Sequence, residues 1–414
     1  MKTMNTKKHL SRLTGIVMVL ASTFAASCSV GDGGDDFTGP YDWPLTDSAL
    51  GADVGGGEPG PNDNGNSHAG IVTAGEWCDL QNWTFWSQLM LDSAFADKSD
   101  YWNFYTNNRV AVQVVNSSGE PMAAIPVKLL RGGTTVWQTR TDNHGLADCW
   151  VGLFQKEGDT DDESLRLSID GQLMDRVPTV AHWDIVGQKI TTNHFILDTP
   201  TTTPIPQADI AFIVDATGSM GDEISFLKSD LVDIINKAQA VRPAISMRTA
   251  ALFYRDEGDE YLTRHSAFTT DLSKTADFVS QQRAEGGNDY PEAVHSALEH
   301  MLQDLSWEPQ ARTHLAFLIL DAPAHHEGAV ISSLQKSIQL CAEQGIQLIP
   351  VAASGVDKNT EFMLRFFAVT TGGTYTFLTN DSGVGLDHIK PTVGDYKVEL
   401  LNELIIRLIS YYTE

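Results

Sequence analysis

Basic residues are scarce in this chain. Its 414 residues hold 28 Lys and Arg against 54 Asp and Glu, a formal net charge of −26. Such a surface repels nucleic acid and anionic membrane surfaces, so no nucleic-acid partner is expected. Cysteine is scarcer, at four residues. Two catalytic patterns are missing. No His-Glu-x-x-His run and no Gly-x-Ser-x-Gly turn occurs anywhere in the chain, so the usual zinc-peptidase and nucleophile-elbow readings have no motif to stand on. Beyond residue 26 no stretch is apolar enough to cross a bilayer.

The one long apolar run lies at the start. Lys2, Lys7, Lys8 and Arg12 precede an apolar stretch from Leu13 to Ala26, followed by Ser27 and Cys28. This pattern resembles a bacterial lipoprotein signal, with Cys28 as the lipidated first residue and 1–28 as the processing region. The plainer alternative is secretion with cleavage nearby. Removing residues 1–27 takes away four cations and no acid, leaving −30. Lipid on Cys28 leaves Cys78, Cys149 and Cys341, an odd count that implies a free thiol or an intermolecular bridge. Cys341 falls on the apolar face of a predicted helix and reads as a small core residue.

Residues 29–70 read as a disordered acidic linker, with eight acidic residues and no Lys or Arg. They cannot bury enough apolar surface to fold. As a flexible coil the linker reaches about 35 Å. An acidic stretch soon after a lipidated Cys resembles the export mark of some Gram-negative outer-surface lipoproteins. The expected location is therefore the bacterial envelope, on the outer membrane and exposed at the surface.

Residues 71–108 hold nine Trp, Phe and Tyr. An aromatic sugar platform is one reading. A helical cap whose rings plug a neighbouring core is the other and is preferred, since bulky rings are usually core. Residues 109–198 show short alternating strands and turns and read as a small β-sandwich spacer. Gly119-Glu120-Pro121 and Thr141-Asp142-x-x-Gly145-x-Ala147 resemble transthyretin-like and carboxypeptidase-regulatory-like modules. Residues 199–207 form a Thr/Pro connector. Deleting 71–197 is expected to leave a foldable C-terminal domain.

From 208 to 414, strands and helices alternate, which predicts a doubly wound α/β fold with a mainly parallel sheet. The chain as a whole is thus multidomain. Ile210 to Val214 is an apolar run followed by Asp215-Ala216-Thr217-Gly218-Ser219 and a helix. A carboxylate and two hydroxyls therefore sit at the carboxyl end of a buried strand, where open α/β sheets bind ligands. Oxygen ligands of this kind suit a hard cation. The segment resembles a von Willebrand factor A-type domain and its metal-ion-dependent adhesion site. Two further pieces carry the resemblance. Glu285-Gly286-Gly287-Asn288-Asp289-Tyr290-Pro291-Glu292 stands at the second loop, and a strand from Leu315 to Leu320 ends in Asp321 at the third. The resemblance implies Mg²⁺, or alternatively Mn²⁺ or Ca²⁺, held by Asp215, Thr217, Ser219, Asp289 and Asp321. Many members place a Thr hydroxyl where this chain has Asp289, and its Gly-rich Asp-x-Pro-Glu loop resembles a bacterial branch of the family. A further carboxylate lowers the ion's pull on an acidic partner.

His325-His326-Glu327 invites a zinc reading, but adjacent loop residues rarely face one ion. With Asp256 and Tyr290, His325 and His326 are instead expected to form a rim that meets a partner. The expected function is a lipid-anchored binding or adhesion protein, not an enzyme, whose cation engages a carboxylate on a protein partner. A metal-assisted hydrolase at the same loops, or a structural envelope subunit with a scaffolding metal, are the alternatives.

Overall fold

The structure, a computed structural model, describes residues 72–156, 162–182, 190–287, 290–382 and 388–414. The signal region with Cys28, the acidic linker and Asp289 lie outside the described residues. The described part belongs to one unit, Asp53–Glu414. No helix among the described residues is long and apolar enough to cross a membrane.

Three segments follow one another. The first holds β1 (Thr73–Trp77), α1 (Trp83–Leu91) and α2 (Ser93–Trp102). The second holds β2 (Asn108–Val115), β3 (Pro126–Arg131), β4 (Thr134–Arg140), β5 (Leu146–Trp150), β6 (Leu165–Ile169), β7 (Gln172–Leu173), β8 (Ala181–His182) and β9 (Asn193–Ile196). The third begins with β10 (Ile205–Asp215), α3 (Gly221–Val241), β11 (Ser246–Tyr254), β12 (Thr263–His265), α4 (Leu272–Ser280) and α5 (Val294–Asp304). It continues with β13 (Ala311–Leu320), α6 (Gly328–Gln344), β14 (Ile346–Ala352), α7 (Lys358–Thr371), β15 (Tyr375–Leu378), β16 (Glu399–Leu400) and α8 (Leu401–Tyr412).

The third segment builds the large sheet, in the order β12-β11-β10-β13-β14-β15-β1-β16. The central five strands are parallel. Apolar residues fill both faces of these strands because helices cover both: α3 packs with α4 and α8, and α6 packs with α5 and α7. This is the expected α/β architecture. The second segment forms two smaller sheets, β4-β3-β6-β7 and β5-β2-β8 with β9 also on β2. Their inward Val, Leu and Ile residues belong to one hydrophobic cluster that continues into the large domain. β4 lies against α6, and Cys341 is buried on α6 as its spacing implies.

One expectation fails. The first segment is not only a helical cap. β1 is a strand of the large sheet, antiparallel to β15 (Ala74 opposite Leu378, Trp77 opposite Tyr375) and to β16 (Thr73 opposite Leu400). The C-terminal domain therefore depends on residues that a deletion of 71–197 removes. The rings of Trp83, Trp86, Phe95, Trp102, Phe104 and Tyr105 are buried, and Phe104 stacks on Phe366 of α7 with centroids 4.3 Å apart.

Candidate metal centre

β10 delivers Asp215 to the carboxyl edge of the sheet, fully buried at 0% exposure. Its Oδ1 accepts from the Thr217 backbone N–H and from the Thr217 hydroxyl, each at 2.8 Å. Its Oδ2 and the Tyr254 hydroxyl are both buried without a hydrogen bond that meets the geometric criteria, and Tyr254 lies close enough to ease the ionisation of Asp215. The loop between β10 and α3 is zipped to the loop before α5. Glu285 N–H donates to Ala216 O at 3.0 Å, and Gly218 N–H to Gly286 O at 3.1 Å. β13, parallel to β10, brings Asp321 to the same edge at 7% exposure. The exposed Ser219 hydroxyl lies beside Asp321 and eases its ionisation. Asp215, Thr217 and Ser219 thus lie on one turn as their spacing implies, and Asp321 joins them at the edge where the resemblance put it.

A carboxylate absent from the sequence-based ligand set joins them. Glu292 is 3% exposed. Its backbone is fixed between two loops: its N–H donates to Pro323 O at 2.9 Å, and it bridges Ala324. Its Oε2 is buried and unpaired. Its Oε1 lies so near Gly287 that a Cβ there would stand 2.8 Å from it and 2.9 Å from Thr217 Cβ. With φ at +71°, Gly287 has both the backbone and the space that only glycine supplies. This explains the second Gly of the pair. Glu292 was visible in the Pro291-Glu292 dipeptide, but sequence gives no sign that its side chain turns inward.

The electrostatics are those of acids crowded without a counter-charge. Burial pushes the Asp215 carboxyl up to about 7, and Asp321 adds to the rise. Burial pushes Glu292 up to about 9, with the charges of Asp215, Asp256 and Asp321 adding to it. Asp321 is raised by burial. Glu223, at the start of α3, is raised to about 7 by burial and by Asp321, and its Oε2 is also unpaired. Buried oxygens without donors are costly. A divalent cation among them would satisfy such oxygens and lower the pKa of the carboxylates it touched. Among the described residues no three His, Cys, Asp or Glu side chains converge tightly enough to hold an ion by themselves. A cation here would be shared with the hydroxyls and with water.

The rim residues also fall on this face. Asp256, after β11, meets His325 at 2.7 Å. Asp259, in the same loop, accepts the Gly287 N–H at 3.0 Å. Tyr290 accepts the Asp357 N–H on its hydroxyl at 3.0 Å. His325 and His326 share no metal-like geometry: one faces Asp256, and the other stacks on Tyr101.

Residues 209–383 match the family model described as von Willebrand factor A domain. This part of the chain is a von Willebrand factor A-type domain. A putative ariadne-like RING finger protein of Acanthamoeba polyphaga mimivirus is 26% identical over 205 residues, covering 44% of this chain and 19% of that protein. An alpha-protein kinase, vwkA, of Dictyostelium discoideum is 30% identical over 156 residues, covering 37% of this chain and 24% of that protein. The chain therefore spans no more than about a quarter of the length of either relative. Among solved structures, a von Willebrand factor type A protein from Catenulispora acidiphila is similar at 12% identity and a TM-score of 0.32, over 75% of this chain and 50% of that one. The open conformation of the pilus adhesin SpaC of Lactobacillus rhamnosus GG is similar at 10% identity and a TM-score of 0.34, over 51% and 30%. Neither likeness is close enough to transfer a function.

Proposed function

We propose that the protein is a cation-dependent binding protein. Asp215, Thr217, Ser219 and Asp321 hold one Mg²⁺, Mn²⁺ or Ca²⁺, with Asp289 of the second loop as a further ligand. The observation that carries this reading is the pair of buried, unpaired oxygens on Asp215 and Glu292 where two loops of a von Willebrand factor A-type domain meet. A bound divalent ion supplies an open, electrophilic position for a carboxylate on a protein partner. Thr217 holds Asp215 in place through two hydrogen bonds, and the Asp256–His325 pair and Tyr290 shape the surround. Tethering to a bacterial outer membrane through Cys28 is part of the same proposal, supported by the signal-like start of the chain.

A second reading is favoured by Glu292. An extra carboxylate neutralises more of the ion's charge, so the cation braces the three loops and binds partners weakly. Calorimetric titration separates metal binding from its use. The protein should bind one divalent ion, and Asp215→Ala should remove that binding. An Asp-containing peptide immobilised on a sensor should capture the protein in Mg²⁺ and release it in chelator. Metal binding without capture selects the bracing role; no metal binding at millimolar ion contradicts both.

A further inference from the structure

The large sheet ends in an open edge. β16 is its outermost strand, and among the described residues no strand lies on its outer side. The chain reaches β16 by running along β1 in the opposite direction. Gly394 lies against the Trp77 indole, Tyr396 against Gly75, and Leu400 opposite Thr73. Every residue from Asp395 to Val398 is exposed, and so is Leu400. The backbone is open as well. Leu401 N–H donates to Val72 O at 2.8 Å, which makes Thr73 and Leu400 a pair without hydrogen bonds to each other. In an antiparallel ladder such a residue turns its own N–H away from the neighbouring strand. The Leu400 N–H therefore faces outward. Among the described residues it has no acceptor, and the backbone groups of Lys397 and Val398 have no partner either.

Side chains alternate along this edge. Glu399 lies opposite Ala74 and reaches Arg407 of α8, so it points to the α8 face. Tyr396 is on the other face, where it meets Phe377 edge-on with ring centroids 4.8 Å apart. Tyr396, Val398 and Leu400 thus form an apolar row, at 39%, 38% and 38% exposure, with Lys397 and Glu399 on the opposite face. This order is self-complementary. An antiparallel second copy, related by a two-fold axis through Val398, sets Val398 opposite its own counterpart and Tyr396 opposite Leu400. The same axis sets Lys397 opposite Glu399, twice. In-register parallel strands would instead set Lys397 against Lys397. A Lys on an edge usually keeps other strands away, but here the antiparallel register gives it an acid. Arg407 stands between Glu76 and Glu399, so one base serves two acids and one negative charge is left over. Lys397 has no ion-pair partner among the described residues.

We propose that this edge binds a second copy of the chain, antiparallel about Val398, so that two large sheets join into one. β16 runs in the same direction as β10 and β13. The two copies therefore turn the carboxyl ends of those strands opposite ways, and the pair carries one Asp215 face at each end. Neither the contact nor its register depends on a bound cation. The joint is small beside a standard protein interface, so the dimer is weak.

Sedimentation velocity and cross-linking test this with the full chain, carrying Cys28→Ala so that neither lipid nor thiol at that position joins copies. The chain should pass from monomer to dimer between about 10 µM and about 1 mM. Lys397→Glu changes only an exposed side chain. It sets like charges opposite each other twice and should weaken the dimer about ten-fold. Cross-linking reads the register. Val398→Cys should give a disulfide-linked dimer in oxidised glutathione, because the axis holds the two Cα atoms about 5.5 Å apart, within disulfide reach. Asp395→Cys, about 20 Å from its counterpart, should give no more than the Cys28→Ala chain alone. A monomer throughout, a dimer indifferent to Lys397→Glu, or equal cross-linking at 395 and 398 overturns the proposal.

Discussion

At the scale of single residues, one pair ties the first segment to the last. Arg365 Nη2 and Nε donate to Asp79 Oδ1 and Oδ2 at 2.6 and 2.9 Å, and both side chains are fully buried. The Trp77 indole also donates to Asp79 at 2.9 Å. Arg365 Nη1 donates to Thr392 O at 2.5 Å, and the guanidinium lies 5.0 Å over the Trp86 ring. Nothing in the sequence links positions 286 residues apart; each alone reads as an ordinary surface charge. Losing Arg365 leaves Asp79 as an uncompensated buried charge, and losing Asp79 leaves Arg365 only Glu361, 3.7 Å from its Nη1. Asp79→Ala or Arg365→Met should therefore cost about 3–5 kcal/mol in urea denaturation. The double variant Asp79→Leu/Arg365→Met should recover most of that loss. A single substitution that costs little would show the pair to be unimportant. The cation-site residues contrast with this pair. Asp215, Thr217 and Ser219 were legible because a turn at a strand end brings neighbours in sequence together. Glu292 was not, because its direction depends on contacts with Pro323 and Ala324 from another loop.

At the scale of elements, the parallel strands were the most legible. β10 is buried continuously from Ala208 to Asp215, and continuous apolar runs in an alternating α/β pattern have few other homes. α6, the helix predicted around Cys341, runs over Gly328–Gln344 and stops at Gly345, whose φ of +72° makes a left-handed cap. Helix starts were less legible. α5 begins only at Val294, because Glu292 spends its N–H on Pro323. α8 begins at Leu401 because Glu399 and Leu400 form a strand beside β1. β1 itself was hidden: five residues, Thr-Ala-Gly-Glu-Trp, show no apolar run. Its Gly75 is dictated by tertiary contact, since a Cβ there would meet Phe377 and Tyr396 at under 3 Å. Removing β1 exposes the edge of β15 and leaves Arg365 buried without Asp79. A chain starting at Ile205 should therefore aggregate or fail to fold, as read by gel filtration and circular dichroism. A monomeric, cooperatively folded product would contradict this placement of β1.

At the scale of the whole molecule, the small sandwich, the aromatic helices and the large domain share one hydrophobic cluster. The sandwich is thus less a detached spacer than a buttress on α6, and the proposed cation site sits on a body whose parts should unfold together. An ion bound to the folded state would stabilise that body by mass action, by about 2.7 kcal/mol at a hundredfold excess over Kd. Without the ion, Asp215→Ala should cost little, because it relieves repulsion among Asp215, Glu292 and Asp321. The most direct measurement is the thermal unfolding midpoint of wild type and Asp215→Ala, each with chelator and with saturating Mg²⁺. The account predicts that Mg²⁺ raises the wild-type midpoint by several degrees and leaves the variant unmoved. A wild-type midpoint indifferent to Mg²⁺, Mn²⁺ and Ca²⁺, or an equal rise in the variant, would contradict it.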